Sequence, residues 1–79
     1  MYLCISGFLP DSADDDSLKF ELDLDSRFNE KVMRLLGHES LSAMAEGEWL
    51  LSKEQLEQIS ELIGQSLPTH LKMFIGLEQ

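Results

Sequence analysis

Leu18-Lys19-Phe20-Glu21-Leu22-Asp23-Leu24-Asp25 alternates apolar and charged residues without interruption. A period of two is the signature of a strand with one face on a core and the other in water, so the four apolar groups are expected on one sheet face. Upstream, Tyr2-Leu3-Cys4-Ile5-Ser6-Gly7-Phe8 is rich in aromatic and apolar residues and stops at Pro10, which predicts a first strand. The run Asp11-Ser12-Ala13-Asp14-Asp15-Asp16 between them is turn-forming and like-charged. It reads as an exposed acidic loop closing an antiparallel hairpin.

Downstream of Asp25 the apolar period changes to that of a helix. Phe28, Val32, Met33, Leu35 and Leu36 fall on one side, Asp25 or Ser26 serves as the N-cap, and Gly37 is placed to end the helix, which predicts a helix over 26–36. Leu41 and Met44 suggest one helical turn, and Glu48-Trp49-Leu50-Leu51 a short apolar strand. Ser52-Lys53-Glu54-Gln55 has capping-box spacing, followed by the stripe Leu56, Ile59, Leu62 and Ile63 up to Gly64 or slightly beyond, with Pro68 ending the helix. In the last segment Leu71, Met73, Ile75 and Leu77 alternate with His70, Lys72, Phe74 and Gly76, again a strand. The order is β-β-α-(β)-α-β. The fold class expected is α+β: a small two-layer sandwich, with a three- or four-stranded, mainly antiparallel sheet and two helices on one face. The other sheet face is left for solvent or a partner.

The 79 residues form one expected domain, 1–79, because a chain this short has material for one core. Apolar residues make up 43% and charged residues 27%, values near those of globular proteins. No apolar run approaches the roughly 18–20 residues that cross a bilayer, and no basic residues precede the first apolar stretch. No membrane span or signal peptide is therefore expected. Cys4 is the only cysteine, which excludes an internal disulfide and a multi-cysteine zinc site. A reducing compartment, by default the cytoplasm, is the expected location.

Charge is the strongest compositional feature. Six Lys/Arg against fifteen Asp/Glu give a formal net charge of −9. That imbalance opposes direct binding to nucleic acid and to anionic membranes, and favours a basic protein partner whose approach the field would accelerate.

Catalytic and cofactor patterns are missing. No nucleophile, base and orienting group fall in a recognisable arrangement, so no enzyme is expected. Cys4 lies in a strand and reads as a small buried thiol, while His38 follows a helix end and His70 belongs to the last strand. The Asp11–Asp16 loop lacks the regular alternation, central glycine and terminal glutamate of a calcium loop, and the five glycines make no phosphate-binding run. Neither a metal nor a cofactor is expected.

The candidate residues are therefore partner-binding ones: Asp11, Asp14, Asp15 and Asp16 in the loop, Glu46, Glu48 and Trp49 ahead of the second long helix, and Glu54, Glu57 and Glu61 on it. The three helix glutamates recur opposite the apolar stripe and form either an ordinary solvated face or a docking ridge. Trp49 fits a core position. With its ring in the open it would instead be an aromatic anchor beside carboxylates, the mixture that receives Lys or Arg at an interface.

Ile5-Ser6-Gly7-Phe8, the acidic loop, Leu18-Lys19-Phe20-Glu21-Leu22-Asp23, Leu35-Leu36-Gly37, and Trp49-Leu50-Leu51-Ser52-Lys53-Glu54-Gln55 leading to Ile63-Gly64 together resemble small acidic immunity proteins of bacterial contact-dependent growth inhibition and polymorphic toxin systems. The resemblance is one of pattern and covers most of the chain. It implies a cytoplasmic protein that binds and neutralises a basic cognate toxin domain, a nuclease (RNase, tRNase or DNase), by covering a positive cleft with acidic surface. The alternative is a non-catalytic acidic adaptor or regulatory subunit of a larger assembly.

Overall fold

A computed structural model describes residues 1–10 and 17–78. It contains one four-stranded sheet in which every pairing is antiparallel. The strands are β1 (Tyr2–Phe8), β2 (Phe20–Asp23), β3 (Trp49–Leu50) and β4 (Lys72–Glu78), in the order β2-β1-β4-β3. The helices are α1 (Asn29–Leu35), preceded by a 3-10 turn at Ser26–Phe28, then α2 (Leu41–Met44) and α3 (Lys53–Ile63). The α+β class, the hairpin of the first two strands and the packing of helices on one sheet face are as expected from the apolar periods.

The core forms on one side of the sheet. Leu3 and Ile5 of β1 and Met73 and Ile75 of β4 meet Val32 of α1, Met44 of α2, and Leu56 and Ile59 of α3, with Leu24, Leu51 and Leu67 completing the cluster. Burying such aliphatic side chains contributes about 1.5–3 kcal/mol each. Gly7 belongs to this face because of a close approach: a Cβ there would fall 2.6 Å from Met73 Sδ and 3.1 Å from Phe20 Cβ.

Helix ends follow their local chemistry. Asp25 accepts a hydrogen bond from Arg27 N at 3.0 Å and caps the 3-10 turn. Ser52 and Gln55 form the reciprocal capping box of α3, with Gln55 N donating to Ser52 Oγ at 3.1 Å and Ser52 N donating to Gln55 Oε1 at 2.8 Å.

Five expectations are corrected. Among the described residues three α-helices lie on the core side where two were expected, because the turn at Leu41–Met44, capped by Ser40 Oγ, carries the fully buried Met44. The continuous helix expected over 26–36 divides into the 3-10 turn and α1. Leu18 leaves the apolar face and is 46% exposed, since β2 begins only at Phe20. α3 ends at Gly64, left-handed at φ 70°, where the apolar stripe stops, so Pro68 is not what ends it; Leu67 beyond it returns to the core as its N–H donates to Ser60 Oγ at 3.2 Å. His70 lies in a bend before β4, outside any strand.

Candidate functional site

The helices cover only one face of the sheet. On the opposite face the alternation within β1 brings up Tyr2, Cys4, Ser6 and Phe8, β2 contributes Glu21 and Asp23, and β4 contributes Lys72, Phe74, Gly76 and Glu78. The register aligns Cys4 with Asp23 on one side and with Gly76 on the other, and Ser6 with Glu21 and Phe74. Glu48, just before β3, reaches over Gly76: its Cγ lies 3.2 Å from the point a Gly76 Cβ would occupy. One row across the sheet therefore reads Asp23, Cys4, Gly76, Glu48, acid at both ends and small residues between.

Small central residues make the face concave. The recess is about 470 Å³, with Tyr2 and Phe8 among its walls and Glu21, Asp23, Glu48 and Glu78 around it. Phe8 and Phe74 pack edge to face with centroids 6.0 Å apart, and Lys72 Nζ lies 5.7 Å from the Phe74 centroid at that end. Leu18, displaced from the core face, joins the lining.

The field in the recess is negative, and its own groups register it. Tyr2 has its phenol pKa raised by the carboxylate of Asp23 first, then by burial and by Glu78. Cys4 is buried and its thiol is pushed up from 9.0 to about 11, by burial first and by a hydrogen bond with Asp23. The thiol is accordingly protonated at neutral pH, a weak nucleophile in acidic surroundings. Its Sγ and carboxylate oxygens of Glu21 and Asp23 lie within 4.8 Å of one another. What these groups offer without further change is hydrogen-bond acceptance and negative charge, chemistry suited to a cation.

The residues singled out in the sequence are distributed over separate surfaces. Asp11, Asp14, Asp15 and Asp16 lie outside the described residues. Glu48 belongs to the open-face recess, and Glu46 is exposed in the connection from α2 to β3. Glu54, Glu57 and Glu61 are exposed on α3, in the other layer of the molecule. Glu57 and Glu61 line a shallow groove of about 330 Å³ with Ser60, Ser66, Leu67 and Thr69.

Trp49 takes neither simple role. It pairs with Ile75 and thus points to the helix side, yet it sits on the edge strand and is 38% exposed, which removes it from the core. Its ring stacks on His38 with centroids 4.8 Å apart and a 56° tilt, and its Nε1 donates to the Met44 carbonyl at 3.3 Å. Trp49 and Glu48, adjacent in sequence, serve opposite faces of the sheet.

Among the carboxylates of the recess, Glu21, Asp23 and Glu78 stand outside the candidates that the sequence offers. Their solvent-facing parity in the strands was visible, but their convergence on Tyr2 and Cys4 depends on strand neighbours. Among the described residues no helix is long and apolar enough to cross a membrane. Compared with known proteins, the chain matches no family model, no curated protein and no solved structure.

Proposed function

We propose that this chain is a non-catalytic binding protein that captures a basic protein partner on the open face of its sheet. The observation that carries the reading is the recess bounded by Glu21, Asp23, Glu48 and Glu78 over a floor of small residues. Lys or Arg side chains from a partner would meet carboxylates there and pack on Tyr2, Phe8 and Phe74, adding cation–π attraction to charge. A formal net charge of −9 extends the attraction beyond contact and speeds encounter.

The specific form we infer is an immunity protein that neutralises a basic toxin domain, a nuclease, by occupying the surface on which the toxin holds phosphates. Size, acidity and the pattern resemblance support this form. The protonated Cys4 thiol supports a binding role over a nucleophilic one.

Co-expression with the product of a neighbouring gene that encodes a basic toxin domain tests the function. The expected result is restored growth, a complex on size exclusion and loss of nuclease activity; neither protection nor complex would sink the toxin-neutralising form. The surface is tested by charge reversal. Asp23→Lys with Glu48→Lys should abolish protection, whereas Glu54→Lys with Glu57→Lys and Glu61→Lys should leave it in place. The opposite ranking would move the interface to α3. Added salt should slow association far more than it speeds dissociation.

A further inference from the structure

β2 is an edge strand, and only its inner side is paired. Leu24 N donates to Leu3 O at 2.8 Å, and the register sets Ile5 opposite Leu22 and Gly7 opposite Phe20. In an antiparallel ladder successive residues turn their backbone groups alternately toward and away from the neighbour. The N–H and C=O groups of Glu21 and Asp23 therefore point outward, and among the described residues no strand pairs with them. Two donors and two acceptors, two residues apart, are the complement that an added strand requires.

Side chains on the same strand select the occupant. Glu21 and Asp23 stand on the open face beside the recess, while Phe20 and Leu22 are half-buried on the helix side. A second copy of β2 is a poor fit, because self-pairing brings like charges together across the new ladder. A strand with Lys or Arg at every second position and β-branched residues between them places its cations against Glu21 and Asp23 and its apolar groups beside Phe20 and Leu22.

We propose that the basic partner engages this protein by β-augmentation: an extended, alternately basic segment pairs with the outer edge of β2 and extends the sheet. The proposal rests on the basic-partner reading above and supplies its binding mode. The alternating charge that keeps β2 from pairing with itself is what admits this segment.

The test uses the full chain, ¹⁵N-labelled, and the peptide acetyl-Thr-Arg-Val-Arg-Val-Arg-Thr-amide. Two further peptides carry N-methyl groups on alternate amides, one for each parity. The unmodified peptide should shift the Glu21 and Asp23 amide signals and slow their hydrogen exchange. One N-methylated version should bind at least about tenfold more weakly than the other, since it alone loses main-chain hydrogen bonds to the edge. Glu21→Lys with Asp23→Lys should weaken binding of the unmodified peptide by a similar factor. Equal binding by both methylated versions, shifts centred on α3, or no binding at all would overturn β-augmentation. Those outcomes leave the co-expression result to judge the basic-partner reading separately, and failure of co-expression with a bound peptide would overturn only the toxin.

Discussion

Glu48 lies across β4 at Gly76, its Cγ 3.2 Å from where a side chain at that position would begin. Gly7 stands on the other face of the sheet, 2.6 Å from Met73 Sδ by the same construction. The two glycines thus face different neighbours, a flexible exposed carboxylate in one case and a close-packed core in the other. Gly7→Ala should destabilise the fold by about 1–3 kcal/mol through overpacking, whereas Gly76→Ala should change stability by less than about 1 kcal/mol while displacing Glu48. Urea unfolding of both variants measures the difference, and equal losses would contradict the assignment of faces.

Cys4 makes stability depend on alkaline pH. Its folded-state pKa of about 11 exceeds the ordinary 9.0, so between these values the folded chain keeps a proton that the unfolded chain releases. The stabilisation is fully present below pH 9.0 and declines as pH rises through about 11. Cys4→Ser should show a shallower fall over that interval. Iodoacetamide should alkylate the native thiol far more slowly at pH 8 than the urea-unfolded one, and equal rates would refute the burial.

Met44 tests whether the one-turn helix α2 is structural. The side chain is completely buried among residues of the core cluster, although α2 has only four residues. Met44→Ala should cost about 2–5 kcal/mol, the range for a large side chain removed from a core. A loss below about 1 kcal/mol, read by chemical denaturation, would mean that α2 does not seal the core.

His38 and Trp49 provide a spectroscopic check on the edge of the sheet. Their rings are 4.8 Å apart, and Trp49 is the chain's only tryptophan. His38→Ala should remove the stacked neighbour, alter tryptophan emission and cost about 0.5–1.5 kcal/mol. Unchanged emission and stability would show that the stack contributes nothing in solution.

Much of the fold was readable because its signals are local. Alternation over Phe20–Asp23, the Ser52–Gln55 box and the glycine after Ile63 each act within a few residues, through side-chain parity, a capping hydrogen bond and a left-handed backbone. Leu18 misled for the same reason: it continues a local pattern that pairing with β1 does not extend to. Met44 reads locally as a turn residue, and its burial comes from contact with distant elements.

Negative charge, the α+β class and the residues that share a face within each strand are legible in the amino acids alone. Packing is what puts Asp23, Cys4, Gly76 and Glu48 in one row, Trp49 at an edge rather than in the core, and the α3 glutamates in a different layer. The periods of strand and helix are set by neighbouring residues along the chain. Strand order and register are set by burying Leu3, Ile5, Met73 and Ile75 against three helices at once, a condition that no single segment contains.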